Sequence, residues 1–242
     1  MAIICRLHGQ VHMQQRRVSK EDKMGYSIAI DGPAGAGKST IAKRVAKEKG
    51  YIYVDTGAMY RGLALHFLEQ NIAPEDTKAI AKACAFVEVK IAYENENQQI
   101  YVNGKNVTSR LREEAVGNMA SMSAAIPEVR EALLELQREL ARTENIVMDG
   151  RDIGTFVLPE ANVKVFLTAS VETRAKRRYE ELQKSGENTA TLAEIERDIT
   201  KRDERDMNRS VAPLKKADSA VLVDSSQMGI DEVVSAILKL CI

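Results

Sequence analysis

The residues from 32 to 40 have types and a spacing that suit the binding of phosphate groups. They are Gly32, Pro33, Ala34, Gly35, Ala36, Gly37, Lys38, Ser39 and Thr40. Glycines allow the backbone to point several N–H groups at one anion, and a following helix adds the partial positive charge of its N-terminus. Lys38 can supply a full positive charge to the outer phosphates, and the Ser39 hydroxyl can ligate Mg²⁺. The segment therefore predicts a binding loop for a nucleoside triphosphate.

The sequence on both sides of this loop favours the same interpretation. An apolar run over residues 26–30 predicts a buried strand before the loop, and a helical pattern follows from Thr40. A glycine-rich turn can also join a strand to a helix without binding a ligand, but the complete motif in this context argues against that alternative. The loop does not identify the acceptor of the phosphate, so other residues must define the reaction.

Arginine and carboxylate side chains also follow the second and third predicted strands. After the second strand, Thr56 is suited to cap a helix and to donate to an acceptor, and Arg61 projects from the first turns of that helix. After the third, Asp149 is placed to organise Mg²⁺ through water, while Arg151 and Asp152 present opposite charges to a ligand. Phosphoryl transfer depends mainly on positioning and charge neutralisation, and the guanidinium fork binds phosphate with two hydrogen bonds. These segments therefore predict an acceptor site for a phosphorylated molecule.

Two charged stretches occur on predicted helices. Arg202, Asp206 and Arg209 follow one another at helical spacing and share one face. A basic run further towards the N-terminus contains Arg174, Arg177 and Arg178. Such a run could close over a triphosphate as a lid and exclude water. Each charged segment also has a purely structural interpretation: a capped helix with a solvated arginine, a charged turn, an ion pair within a helix, or a solvated basic face.

Short apolar runs define the elements that must position these residues. Five runs predict strands of a buried parallel sheet: Tyr26–Ile30, Tyr51–Val54, Ile146–Met148, Val163–Leu167 and Ala220–Val223. Helical patterns alternate with them, which predicts a doubly wound α/β fold whose ligands lie beyond the carboxyl ends of the strands. Residues 86–107 interrupt the alternation with a predicted antiparallel hairpin containing an Asn-Gly turn, so a small α+β module is inserted between the second and third strands.

The composition narrows the range of functions. The 242 residues carry 35 basic and 35 acidic side chains and no tryptophan, which disfavours a nucleic-acid-binding module. The three cysteines are widely spaced, as expected in a reducing cytoplasm and not in a disulfide framework or zinc site. No stretch approaches the roughly 20 apolar residues of a membrane span. Residues 1–24 are polar and basic, do not match a signal peptide, and are expected to be a disordered or non-native extension, with a docking tail as the alternative.

Taken together, the motifs resemble bacterial cytidylate kinase from about Tyr26 to the C-terminus. The segments that carry the resemblance are residues 30–40, 55–61, 149–155 and 202–209, with the hairpin insert between them. The first is common to many nucleotide-binding proteins, whereas the last two segments in combination with the insert are specific. Residues 1–24 have no counterpart in this resemblance.

The resemblance implies an α/β fold of the P-loop NTPase type, with a five-stranded parallel sheet, a small α+β insert and a helical lid. The expected divisions are a kinase domain over 25–242, with its core at 25–82 and 124–242, the monophosphate-binding insert at about 83–123 and the lid at about 171–209. It also implies a cytoplasmic enzyme that phosphorylates CMP and dCMP with ATP and Mg²⁺. We expect a monomer that binds neither nucleic acid nor membranes.

Roles for individual residues are implied by the same resemblance. Ser121, Arg130 and Asp152 would read cytosine; Arg61 and Arg151 would hold the acceptor phosphate; Arg202 and Asp206 would contact the pentose; and Arg209 would bridge towards phosphate. Lys38, Arg151 and Arg209 would act in catalysis. The chemistry of cytosine fits, because Asp152 can accept a hydrogen bond from N4 whereas uracil presents an acceptor there.

Other activities on a similar chain are a kinase for UMP, AMP or shikimate, and a regulator that binds nucleotide without catalysis. Asp152, Arg130 and the insert argue against the other acceptors. A regulator would need neither Lys38 nor the complete set of acceptor arginines.

Overall fold

The computed structural model describes residues 25–185 and 190–241. The prediction for residues 1–24 lies outside them. The described chain forms two compact units, a sheet unit of residues 27–53 and 146–241 and a hairpin unit of residues 25–26 and 54–145. Within the described ranges, no helix combines the length and the apolar character that a membrane crossing requires.

One parallel sheet contains the five strands that the sequence predicts, and all but the last two residues of β2 lie in the sheet unit. They are β1 Ser27–Asp31, β2 Ile52–Asp55, β6 Ile146–Gly150, β7 Val163–Thr168 and β8 Val221–Asp224, in the spatial order β2-β6-β1-β7-β8. Parallel pairing joins β1 to β6 and β7, and β7 to β8. Because β1 is central, all of its residues are buried, which explains its continuous apolar run. The predicted α/β fold with a five-stranded sheet is confirmed.

Helices and one tight turn complete the sheet unit. They are α1 Lys38–Lys49, the π-helical turn Ile153–Val157, α6 Val171–Ser185, α7 Leu192–Asn208 and α8 Ile230–Leu238. Helix α7 begins with a capping box, in which Thr191 and Glu194 satisfy each other's backbone N–H groups. Helices α6 and α7 share a small apolar cluster of Ala175, Ile195 and Ile199. The two helices of the predicted lid region therefore have a core of their own.

The hairpin unit contains the predicted antiparallel module. Its elements are α2 Thr56–Glu69, α3 Thr77–Cys84, β3 Val89–Glu94, β4 Asn97–Val102, β5 Lys105–Asn106, a 3₁₀ turn Thr108–Arg110, α4 Glu114–Ser123 and α5 Pro127–Thr143. Strands β3, β4 and β5 form one antiparallel sheet in that order. Asn103 and Gly104 both have positive φ, as the predicted turn requires. The short strand β5 after this turn was not predicted.

Candidate active site

The predicted phosphate-binding loop follows β1 and leads directly into α1. Gly32, Gly35 and Gly37 have φ values of 151°, 73° and 82°, which side-chain-bearing residues rarely adopt. A Cβ at Gly32 would lie 1.9 Å from the carbonyl oxygen of Leu167, so the backbone of β7 leaves no room for a side chain. The loop therefore adopts a backbone conformation suited to binding an anion, and it ends at the N-terminus of α1.

Lys38 is folded back into this loop. The residue is 6% exposed, and its Nζ donates to the carbonyl oxygen of Pro33 at 2.7 Å. Burial lowers the pKa of Lys38 well below its ordinary value, and the positive charge of Arg151 lowers this pKa further. An anion arriving in the loop would reverse the second effect, because a nearby negative charge favours the ammonium form. Lys38 therefore lies where a bound phosphate would stabilise its charge.

Ser39 and Asp149 meet beside the loop. The Ser39 hydroxyl donates to Oδ2 of Asp149 at 3.0 Å, and the Tyr53 hydroxyl donates to Oδ1 at 2.8 Å. Both carboxylate oxygens thus have fixed orientations, in a residue that is 5% exposed. Mg²⁺ prefers oxygen ligands and is usually held by one or two protein groups together with water and substrate phosphates. The residues present fit such an ion. Tyr53 was not singled out in the sequence, because only the pairing of the strands reveals its contact with Asp149.

Four of the predicted acceptor residues form two ion pairs in the sheet unit. Nε of Arg151 donates to Oδ2 of Asp206 at 2.9 Å, and a terminal nitrogen of Arg209 donates to Oδ1 of Asp152 at 3.0 Å. Nε of Arg209 also donates to the carbonyl oxygen of Ala212 at 2.7 Å. Both carboxylates are buried. Arg202 lies one turn before Asp206 on α7. Its positive charge also lowers the pKa of Lys38.

The backbone that carries Arg151 and Asp152 is held by a carboxylate from the end of β1. The two oxygens of Asp31 accept from the N–H groups of Ile153 and Gly154, each at 2.7 Å. Burial raises the pKa of Asp31 from 3.8 to about 6, although these hydrogen bonds lower it. Asp31 is the residue directly before the phosphate-binding loop. Its two hydrogen bonds therefore link this loop to the π-helical turn that follows Asp152.

The basic residues of the predicted lid have different surroundings. Arg174 is buried and donates to the carbonyl oxygen of Ala34 in the phosphate-binding loop. Arg177 donates to the carbonyl oxygen of Ser225, after β8. Arg178 is exposed and forms an ion pair with Glu181 within α6. In this conformation, only Arg178 projects into solvent as a lid residue would.

The hairpin unit contains the remaining predicted acceptor residues, Thr56, Arg61, Ser121 and Arg130. They lie on α2, α4 and α5, and α2 packs against each of the other two. Arg130 is 3% exposed, donates to the carbonyl oxygen of Ala124, and lies over the ring of Tyr60 at 5.7 Å. Its planar group is thus positioned in advance.

One local prediction for this region is wrong. Thr56 is the first residue of α2 and not its cap. The cap is Asp55, whose side chain accepts from the N–H of Ala58 at 2.9 Å. The helix begins one residue earlier than expected, because the carboxylate that ends β2 is itself a good capping group. The Thr56 side chain is therefore buried at the helix start, and its predicted donation to an acceptor stays a prediction.

Comparisons with known proteins identify one family. The family model described as cytidylate kinase matches residues 28–241. A cytidylate kinase from Shouchella clausii (strain KSM-K16) is 49% identical over 216 residues, which cover 89% of this chain and 96% of that protein. A cytidylate kinase from Caldicellulosiruptor bescii is 46% identical over 214 residues, covering 88% and 94%.

A solved structure of an uncharacterized protein from Eubacterium ventriosum has 13% identity and a TM-score of 0.50, and the match covers 88% of this chain and 96% of that one. This likeness concerns the fold alone. The extent and identity of the sequence matches, together with the phosphate-binding loop, show that the chain belongs to the cytidylate kinase family and is a nucleoside monophosphate kinase.

Proposed function

We propose that the chain transfers the γ-phosphoryl group of ATP directly, by in-line displacement, to CMP and dCMP, giving CDP or dCDP and ADP. Membership of the cytidylate kinase family supports this reaction. The observation that carries the proposal is the set of arginine and carboxylate side chains beside the phosphate-binding loop, in which Arg151 pairs with Asp206 and Arg209 with Asp152. In the cell, this reaction belongs to pyrimidine nucleotide metabolism.

The phosphate-binding loop holds the donor in this mechanism. The loop of residues 32–40 surrounds the β- and γ-phosphates, with the backbone N–H groups of the residues after Ala34 directed at them, and the ammonium of Lys38 neutralises charge on the group in transfer. Lys38 is already directed into the loop by its hydrogen bond to Pro33. When ATP binds, Lys38 exchanges this carbonyl for phosphate oxygens. Little covalent chemistry is required of the protein, so correct placement of these groups supplies most of the rate.

Ser39, and Asp149 through water, would hold Mg²⁺. The ion would neutralise charge on the phosphates and orient them for in-line attack. Tyr53 and Ser39 fix the Asp149 carboxylate by donating to its two oxygens. This arrangement keeps the carboxylate in one orientation before the substrate arrives, so less conformational entropy is lost on binding.

The acceptor is bound by arginine and carboxylate side chains in this proposal. Arg61 and Arg151 hold its phosphate, Arg202 and Asp206 contact the pentose, and Arg209 extends towards the phosphate in transfer. Asp206 also orients the guanidinium of Arg151 through their hydrogen bond. With Lys38, Arg151 and Arg209 are the catalytic arginines of the proposal, because a planar guanidinium follows charge that spreads over phosphate oxygens.

Cytosine is recognised by Ser121, Arg130 and Asp152. Asp152 accepts from the N4 amino group, while Arg130 and Ser121 donate to the ring acceptors. Uracil places an oxygen where cytosine has this amino group, so an oxygen of the buried Asp152 carboxylate would face another acceptor there instead of a donor. An unpaired buried polar group costs about 1–3 kcal/mol, which disfavours UMP by roughly 5- to 150-fold.

Three arginines complete the proposal for the donor side. Arg177 and Arg178 move with the helical lid towards the triphosphate, which excludes water from the donor. Arg174, the third, is buried against the loop and donates to the carbonyl oxygen of Ala34. We further propose that the protein is cytoplasmic and monomeric. Light scattering during size-exclusion chromatography would test whether it is a monomer.

The decisive experiment is an ADP-release assay with ATP and Mg²⁺ that compares CMP, dCMP, UMP, AMP and shikimate at equal concentrations. We expect fast turnover of CMP and dCMP and little of the other acceptors. Fast turnover of another acceptor would retain the donor site and overturn the roles of Ser121, Arg130 and Asp152. Tight ATP binding without turnover of any acceptor would instead favour the regulator.

A further inference from the structure

A buried ion pair lies against the phosphate-binding loop. Neither of its residues contacts a substrate in the proposed phosphorylation of CMP and dCMP. Arg174 on α6 and Asp203 on α7 are 4% and 6% exposed. A terminal nitrogen of Arg174 lies 2.6 Å from Oδ2 of Asp203, and its Nε donates to the carbonyl oxygen of Ala169 at 2.9 Å. Both helices of the predicted lid region therefore contribute a charge to one point beside the loop.

The pair binds both backbone polar groups of a single loop residue. The N–H of Ala34 donates to Oδ1 of Asp203 at 3.2 Å, and the Ala34 carbonyl oxygen accepts from Arg174 at 2.8 Å. The next residue, Gly35, is also close to these helices, because a Cβ there would lie 3.3 Å from Cβ of Arg174 and 3.8 Å from Cδ1 of Ile199. The first half of the loop is thus fixed to α6 and α7 by hydrogen bonds and by contact.

Energetics indicate why charged residues occupy this place. A buried ion pair contributes little net stability, since desolvation of both charges offsets their attraction, and an apolar pair of similar volume often serves as well. An apolar pair could not satisfy the Ala34 N–H and carbonyl, which are buried in a tight turn and require partners. The distinctive contribution of Arg174 and Asp203 is therefore the conformation that they impose on the loop.

We propose that Arg174 and Asp203 are positioning residues that hold the phosphate-binding loop in its ATP-binding conformation. By binding Ala34 from outside the turn, they leave the N–H groups of the following residues directed at the donor phosphates. The inference rests on the proposed function only in that the loop binds ATP, and it is independent of the acceptor. It assigns Arg174 to the support of the loop and not to a lid that contacts the triphosphate.

The test measures ATP binding directly, by calorimetry on the full chain with Mg²⁺ and no acceptor. The variants are Arg174→Met, Asp203→Asn and the double variant Arg174→Met/Asp203→Leu. We expect the Kd for ATP to rise by about tenfold or more in each, as loss of hydrogen bonds to charged groups predicts. The effects should not add, because either single change already releases the loop.

The matched controls are Lys176→Met on α6 and Glu204→Gln on α7, which remove the charges of exposed neighbours. Both should bind ATP as the wild type does. Hydrogen exchange of the peptide that contains residues 32–37 provides a second readout without nucleotide. Exchange should be faster in the three pair variants and unchanged in the controls.

The double variant distinguishes a loss of loop positioning from a failure to fold. It removes both charges, so no buried charge is left without its partner. If it melts like the wild type and still binds ATP weakly, the positioning role is supported. Recovery of wild-type ATP affinity in the double variant would overturn the proposal. So would loss of affinity in Arg174→Met with none in Asp203→Asn, which would indicate direct contact of Arg174 with the triphosphate.

These outcomes are separate from those of the proposed function. A chain that binds ATP but does not phosphorylate CMP would contradict the kinase proposal and leave the role of this pair testable by the same binding measurements. Normal CMP phosphorylation with unchanged ATP affinity in all pair variants would overturn the positioning role alone.

Discussion

At the scale of single residues, Lys38 is a buried amine whose ammonium form a bound phosphate would stabilise. Lys38→Ala removes the ammonium that we propose neutralises the group in transfer, so we expect kcat to fall by at least about 100-fold. The melting temperature should change little, because the principal partner of Nζ is a backbone carbonyl. Lys47→Ala, an exposed change on the same helix, is the control. A near-normal rate for Lys38→Ala would contradict the assignment of the loop.

Asp31 makes folding stability depend on pH. Its pKa is 3.8 ordinarily and about 6 in the fold, so the folded state binds the proton more tightly than the unfolded state does. The stability from this group is complete below about pH 4 and is lost as the pH rises through about 6. Relative to Asp31→Asn, the free energy of unfolding of the wild type should fall by about 3 kcal/mol between these limits.

Urea denaturation of both proteins across this pH range provides the measurement. A constant difference between them would mean that the carboxyl does not titrate in the fold as described. The comparison cancels the titration of groups that do not interact with Asp31, because the two proteins differ at one side chain.

Asp206 separates acceptor binding from donor binding. Its Oδ2 accepts from Arg151, which we assign to the acceptor phosphate. Asp206→Ala removes both the proposed pentose contact and this orientation, so the KM for CMP should rise by about tenfold or more. The Kd for ATP should stay within about twofold, since no proposed ATP contact involves this residue. Initial rates and calorimetry test this, with Glu204→Ala as the control, and equal losses for both ligands would remove Asp206 from the acceptor site.

The sequence motifs indicate the proposed catalytic residues more completely than the residues that hold them in position. Lys38, Ser39 and Asp149 could be proposed from the sequence, because their types and positions after strands already indicate phosphate and metal binding. Tyr53 and Asp203 could not be, because their contacts join positions far apart in the sequence. Nothing in the local spacing of either residue indicates its partner.

At the scale of elements, helix α2 packs closely against β4 in the hairpin unit. A Cβ at Gly62 would lie 2.9 Å from Cγ2 of Ile100 and 3.3 Å from Cγ2 of Val102. Gly62→Ala should therefore destabilise the protein by about 1–3 kcal/mol through overpacking. Gly117→Ala on α4 has open space around it and should stabilise by up to about 1 kcal/mol through helix propensity.

Thermal denaturation of these two variants tests the packing, since both make the same change within a helix. A stabilising effect of Gly62→Ala would contradict the close approach of α2 and β4.

The elements themselves followed closely from periodicity and turn chemistry. Strands that are buried on both faces appear as unbroken apolar runs, and Pro127 begins α5 as its fixed φ predicts. The strand β5 has two exposed polar residues, so its sequence carries no hydrophobic pattern, and only pairing with β4 defines it.

At the scale of the whole chain, the order of strands in the sheet unit predicts a gradient of local stability. Strand β1 has a parallel neighbour on each side, whereas β8 is at an edge with Val221 and Leu222 exposed. We expect native-state hydrogen exchange to be slowest for β1 amides and faster for β8, because edges open without disrupting the core. Comparable rates for the two strands would contradict this order.

The central place of β1 also affects how the chain must be made. Ile28 pairs with Val147 and Val163, so both neighbours of this strand are synthesised long after it. At about 5–20 residues per second, β1 waits on the order of 10 s before its partners leave the ribosome. During that time, residues 54–145, which supply nearly all of the described hairpin unit, are already complete. The strand that leads into the nucleotide loop is thus made early, and its apolar residues stay without their parallel neighbours until most of the chain has been synthesised.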